Sequence, residues 1–141
     1  FAEEEEEGVE HLIITRPVAG KDSASRVTNW RDATPTAGDY GAAVNWALLE
    51  PLDAAEPATD QPCLLGFQQL ARQALVRGKA TEVRTCAEER VYYVIEGRGV
   101  LMAGHDVQRI GEGDTIYVPA GLVHQLANDD CDGWLSYLVV S

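Results

Sequence analysis

Positive charge is scarce in this chain of 141 residues: 11 lysines and arginines face 23 aspartates and glutamates, for a formal net charge of −12. Binding to nucleic acid or to an anionic membrane needs a basic face that neutralises phosphate, so neither partner is expected. No apolar run reaches the roughly 18 residues of a membrane-spanning helix, and the first residues are acidic, so no intact secretory signal is visible. Cysteine is sparse too. Cys63, Cys86 and Cys131 are odd in number and widely spaced, which speaks against a disulfide framework or a zinc ribbon and favours a cytoplasmic or other soluble, reducing compartment. The chain begins at Phe1 rather than Met, which leaves room for a trimmed N-terminus and for a targeting segment lost with it.

What remains is a chain with 45% apolar residues, enough for one domain with a core. Residues 1–9 read as a solvated acidic tail, because the run Glu3 to Glu7 repels itself and has nothing to bury. Residues 10–62 read as an N-terminal arm. It holds EHLIIT (10–15) and RVTNW (26–30) as short strands, AAVNWALLE (42–50) as a strand with Val44, Trp46 and Leu48 on one face, and a proline-rich loop over 51–62. From 63 to 141, turn signals recur at short intervals: Gly78, Gly97 and Gly99, Gly104, Gly111 and Gly113, Pro119 and Gly121, and 129–133. Between them lie TEVRTC, RVYYVIE, VLMA, DVQRI, DTIYVP, LVHQLA and WLSYLVV, each short and rich in β-branched or aromatic residues. Such spacing argues for an all-β sandwich or barrel. GFQQLARQALVR (66–77) disagrees, since Phe67, Leu70, Ala71, Ala74 and Leu75 recur at helical spacing.

The stretch GDTIYVPAGLVHQLAN (113–128) places Gly113, Pro119, Gly121, His124 and Asn128 at fixed separations. Gly113 turns the chain, a strand runs to Pro119, Gly121 allows a corner, and His124 opens the next strand. This pattern resembles the second sequence motif of the cupin superfamily at every specified position. The resemblance covers residues 64–140. It implies a cupin jelly-roll barrel (a double-stranded β-helix) with an N-terminal strand arm, makes 66–77 a strand despite its spacing, and implies a homodimer formed through N-terminal strands.

The family's first motif supplies two histidines and a glutamate, which complete a metal site with the histidine of the second. Here the frame from Gly78 to Gly97 is kept while Arg84, Cys86 and Arg90 stand at those slots; the alternative spacing moves the histidine slots to Val83 and Thr85. A metal needs lone-pair donors, and a guanidinium is a permanent cation. Cys86 and His124 alone are fewer donors than zinc or iron sites use. Metal-free chemistry is therefore expected, while a divalent ion held by His124 and Cys86, with Glu82 or Glu89 as a third ligand, stays open.

Period-two alternation directs Arg84, Cys86, Arg90, Tyr92 and His124 into the barrel, with Leu126 behind and one face of WLSYLVV opposite. Two buried guanidinium groups need partners. Either they pair internally with Glu82, Glu88 or Glu89, or they receive the carboxylate or phosphate of a small anionic ligand. For catalysis, His124 or Tyr92 is the candidate acid or base, with an arginine stabilising an enolate-like oxyanion, as in an isomerase, epimerase or lyase. Cys86 is a further candidate, as a nucleophile activated by the nearby cations. His105 sits in a turn and His11 in the arm; Trp30, Trp46 and Trp134 suit a core or a dimer interface. Three classes follow: a metal-free anion binder with or without turnover, a metal-dependent dioxygenase or isomerase with atypical ligands, and a degenerate barrel serving as a dimeric structural module.

Overall fold

A computed structural model of the chain describes residues 8–18, 25–57, 59, 62–130 and 132–141. The acidic run Glu3 to Glu7 and Cys131 lie outside them. The protein is all-β, with nine strands among the described residues: β1 Thr36–Gly38, β2 Ala43–Leu49, β3 Leu70–Leu75, β4 Arg90–Glu96, β5 Arg98–Ala103, β6 Asp106–Gly111, β7 Thr115–Val118, β8 His124–Ala127 and β9 Leu135–Val140. A six-stranded sheet runs β1-β2-β3-β9-β4-β7 and a three-stranded sheet runs β6-β5-β8. All paired strands are antiparallel, and together the sheets form the jelly roll. No helix among the described residues is long and apolar enough to cross a membrane.

The core is built by alternation. Leu135, Tyr137 and Val139 of β9 and Tyr92 and Val94 of β4 point between the sheets, where they meet Leu101, Ile110, Ile116, Val118 and Leu126. The segment with helical spacing is a strand because β3 is paired on both edges, with β2 on one side and β9 on the other. Its buried positions, Ala71, Ala74 and Leu75, lie on both faces of that central strand, so its apolar residues need not alternate.

Three expected strands differ. Residues 10–15 and 26–30 are in no sheet. Strand propensity is realised through a ladder partner, and the first segment is held instead by Arg16, whose Nη1 donates to the Gly66 carbonyl at 2.7 Å and whose guanidinium lies 4.9 Å from the Phe67 ring centre. The second ends at Asn29, whose side chain accepts the Arg31 N–H and caps a short 3-10 turn, Trp30–Asp32. Residues 81–86 form no continuous strand; Ala80 and Arg84 make isolated bridges to Ala127 and His124 on β8. β2, by contrast, is fully integrated, and Trp46 meets Trp30 edge-on at 5.2 Å, with Arg72 stacked 4.2 Å from the Trp30 ring centre. Trp134 is half exposed just before β9.

Asn128, the last residue of the second motif, has a structural role. Its buried amide donates to the carbonyls of Leu75 at 3.1 Å and Gly133 at 2.9 Å, while its oxygen accepts from the Asp130 N–H at 3.0 Å. One side chain thus ties the end of β3 to the loop leading into β9. Asn128→Ala leaves two carbonyls and an N–H without partners, and is expected to lower stability by about 2–4 kcal/mol in urea unfolding. A loss below about 0.5 kcal/mol would contradict that role.

Candidate functional site

Two elements bring the site together. β4 directs Arg90 and Tyr92 inward, with Tyr92 opposite Val139 of β9 and Ile116 of β7. On the other sheet, Gly121 takes a φ of +81°, a region that favours glycine, and so turns the chain after Pro119 and starts β8 at His124. His124 and Arg84 exchange both backbone hydrogen bonds, at 3.0 and 2.9 Å. Arg84 is thus His124's direct cross-strand neighbour.

Inside the barrel these residues form a chain of hydrogen bonds. The Nη1 of Arg90 donates to the Tyr92 hydroxyl at 3.2 Å, and that hydroxyl lies 2.8 Å from Nε2 of His124. The other ring nitrogen of His124, Nδ1, is 3.3 Å from the Leu122 carbonyl. A carbonyl can only accept, so Nδ1 carries the proton and Nε2 accepts from Tyr92. The order is then Arg90 N–H to Tyr92 oxygen, Tyr92 O–H to His124, and His124 N–H to Leu122. Tyr92 packs edge-on against both His124 and Tyr137, with ring centres 5.7 and 5.5 Å apart.

Burial sets the protonation states. Tyr92 and His124 are 3% and 2% exposed. Desolvation raises the Tyr92 pKa, against the opposing pull of Arg90. Desolvation likewise lowers that of His124, and the Arg90 and Arg84 cations push the same way. Near neutral pH the pair is therefore a protonated phenol and a neutral imidazole.

The two arginines have different partners. Arg84 forms an ion pair through Nη2 with Asp39, whose side chain is 4% exposed. Asp39 also accepts the Glu82 N–H at 2.8 Å. Neither Glu82, Glu88 nor Glu89 pairs with an arginine of the site; Glu89 accepts from the Tyr117 hydroxyl at the surface instead. Asp39 belongs to the turn Asp39–Gly41 ahead of β2, where Asp39 and Tyr40 have φ values of +53° and +57°. Two consecutive residues other than glycine in that region are strained, and the sharp turn points the carboxylate into the barrel. Nothing in its sequence neighbourhood names a partner, although GDYG (38–41), an acid in a glycine-flanked turn, is a local signal of a tight turn.

Arg90 has no carboxylate within 4 Å among the described residues, and its buried Nε has no hydrogen-bond partner. It faces a cavity of about 520 Å³ whose lining includes Asn45, Gln69, Cys86 and Ser141. Arg90 is part of that lining, whereas Tyr92, to which it donates, and His124 are not. Cys86 is half-buried in the lining and makes no side-chain hydrogen bond to Tyr92 or His124. His105 is exposed in its turn. A second amide layer, which sequence reasoning missed, supports the floor: Tyr137 donates to Gln73 at 2.9 Å and Gln73 donates to Asn45 at 3.1 Å.

The residues present do not fit the family's metal site. Cations stand at two of the ligand slots, Nε2 of His124 is engaged by Tyr92, and no group of three His, Cys, Asp or Glu side chains suited to an ion occurs among the described residues.

The cupin domain model matches residues 77–140, the span that contains β4 to β9 together with Arg84, Cys86, Arg90, Tyr92 and His124. Residues 77–140 form a cupin domain. An uncharacterised protein of Streptomyces coelicolor is 28% identical over 81 residues, covering 55% of this chain and 77% of the relative. Among solved structures, a predicted oxalate decarboxylase from Thermotoga maritima aligns with a TM-score of 0.65 and 21% identity, over 82% of this chain and 96% of that one. The polyketide cyclase RemF from Streptomyces resistomycificus aligns with a TM-score of 0.64 and 17% identity, over 83% and 78%. At these identities the two share the cupin fold with this chain.

The neutral, buried imidazole has a consequence for stability. The His124 pKa is lower in the folded protein than its ordinary value of 6.5, so as pH falls below about 6.5 the unfolded chain binds a proton that the folded one does not. Folding stability then drops with pH until the folded-state pKa is passed. Urea unfolding at pH 7.5 and pH 5 is expected to show this loss in the wild type and a smaller one in His124→Gln. Equal losses in the two would contradict a depressed His124 pKa.

Proposed function

We propose that the cavity at the barrel mouth binds a small organic anion and that Arg90 receives its charged group. The observation that carries this reading is the state of Arg90: a half-buried guanidinium in the lining of an open cavity, with no carboxylate within 4 Å among the described residues. A carboxylate or phosphate is the shape and charge a guanidinium fork suits. The naming of one structural neighbour as a predicted oxalate decarboxylase and another as a polyketide cyclase supports small-molecule chemistry in this fold without specifying it here.

The hydrogen-bonded pair behind Arg90 suits metal-free proton transfer. A substrate proton passes to the Tyr92 oxygen as the phenolic proton passes to Nε2 of His124, leaving an imidazolium, and Arg90 stabilises the oxyanion formed on the substrate. That is the outline of an isomerase, epimerase or lyase acting on a carboxylate or sugar acid. A second reading, a closed structural barrel, is favoured by the internal Arg84–Asp39 pair. The two separate in a thermal-shift screen of small carboxylates and sugar phosphates. The anion pocket predicts a ligand that raises the wild-type Tm and loses at least about tenfold in affinity in Arg90→Met; no shift with any of them would favour the structural barrel.

The same proposal includes a homodimer. Val9, Ile13 and Val27 are almost fully exposed in the extended segments before β1, with Leu12 and Ile14 partly so, and apolar side chains in that state suit burial against a second copy. Light scattering is expected to give a dimer for the wild type and a monomer for the Leu12→Asp, Ile13→Asp double variant. A wild-type monomer at micromolar concentration would contradict it.

A further inference from the structure

The cavity at Arg90 is walled by groups that hydrogen-bond without charge. Asn45 and Gln69 line it alongside Gln68 and Ser141. Amides and a hydroxyl both donate and accept, which matches a ligand bearing hydroxyl groups. Two carboxylates are also in the lining. Glu50 is turned toward the following loop, where Oε1 accepts the Thr59 N–H at 2.6 Å, and Glu88 is exposed. A ligand carrying a second negative charge outward would meet both.

Inward, the charge count depends on one residue far away in sequence. Arg84 and Arg90 both act on Tyr92, His124 and Tyr137, so the two guanidinium groups share one neighbourhood. Asp39 neutralises Arg84 from a buried position on a strained turn. We propose that Asp39 leaves the two interior guanidinium groups with one net positive charge and thereby selects a monoanionic ligand, a hydroxylated monocarboxylate, over the corresponding dianion. This rests on the anion-pocket reading and adds the substrate class and a specificity-determining residue outside the first motif. The physical basis is simple: a site's electrostatic potential acts about twice as strongly on a dianion as on a monoanion, so each charge gained or lost shifts the preference between them.

The test uses size-matched pairs, D-gluconate against D-glucarate and lactate against malate, with calorimetry on the wild type, Asp39→Asn, Arg84→Met and the double variant. The wild type is expected to prefer the monoanion of a pair. Asp39→Asn frees the Arg84 charge and is expected to strengthen dianion binding about tenfold more than monoanion binding, the order expected of one elementary charge within roughly 12 Å at an effective dielectric constant of ~20. The double variant, again with one net cation, is expected to return to the wild-type preference. If Asp39→Asn does not fold, Arg84→Met carries the test: it leaves the Asp39 carboxylate unpaired and is expected to weaken both anions, the dianion more. An unchanged ratio in the variants, with monoanion binding still lost in Arg90→Met, would overturn the role of Asp39 and leave the Arg90 pocket standing. Failure of the wild type to bind any of the four anions would overturn both.

Discussion

Two guanidinium groups inside a small barrel are the constraint on which the rest of the interior depends. Arginine cannot shed its proton, and an unpaired charge in such a place costs several kcal/mol, so each must be met by something polar. The protein meets them differently. Arg84 receives a carboxylate reached from the N-terminal arm through a turn with two consecutive positive φ angles. Arg90 receives a phenol, which is bonded in turn to the imidazole of His124, and it stands in the lining of the cavity. The asymmetry gives the interior a filled side and an accessible one.

That asymmetry also explains the protonation pattern. The same two cations that discourage charge on His124 oppose the effect of burial on Tyr92, so they favour loss of the phenolic proton while disfavouring its arrival on the imidazole. The scaffold keeps them aligned: β4 fixes Tyr92 between β7 and β9, and the Gly121 corner fixes the first residue of β8. At the slots where the superfamily's first motif places metal ligands, this chain has two arginines and a cysteine, with a hydrogen-bonded phenol and imidazole beside them.

Much of this was legible in the chain. GDTIYVPAGLVHQLAN carried strand, corner and inward histidine together, because glycine and proline act locally and leave marks at fixed spacing. The slots of the first motif can be counted in the sequence, which is enough to single out Arg84, Cys86 and Arg90. The strand character of 66–77 came from the resemblance alone; its composition is helical because a central strand buried on both faces has no polar side to alternate with. Asp39 was not legible, since its partner lies 45 residues away and only the closed fold brings them together. The strands expected at 10–15 and 26–30 failed for a related reason: their composition suits a strand, but a strand also needs a neighbour, and a capping asparagine and an arginine tether claimed those segments instead.

The central claim is that the barrel interior is built for an anion rather than for a metal, and metal content tests it most directly. Elemental analysis of tag-free protein, as purified and after dialysis against iron, manganese, zinc, copper and nickel, is predicted to find well under one ion per chain. One equivalent retained by the wild type and lost in His124→Ala would contradict the account, because it would make Nε2 of His124 a ligand rather than the acceptor of the Tyr92 proton.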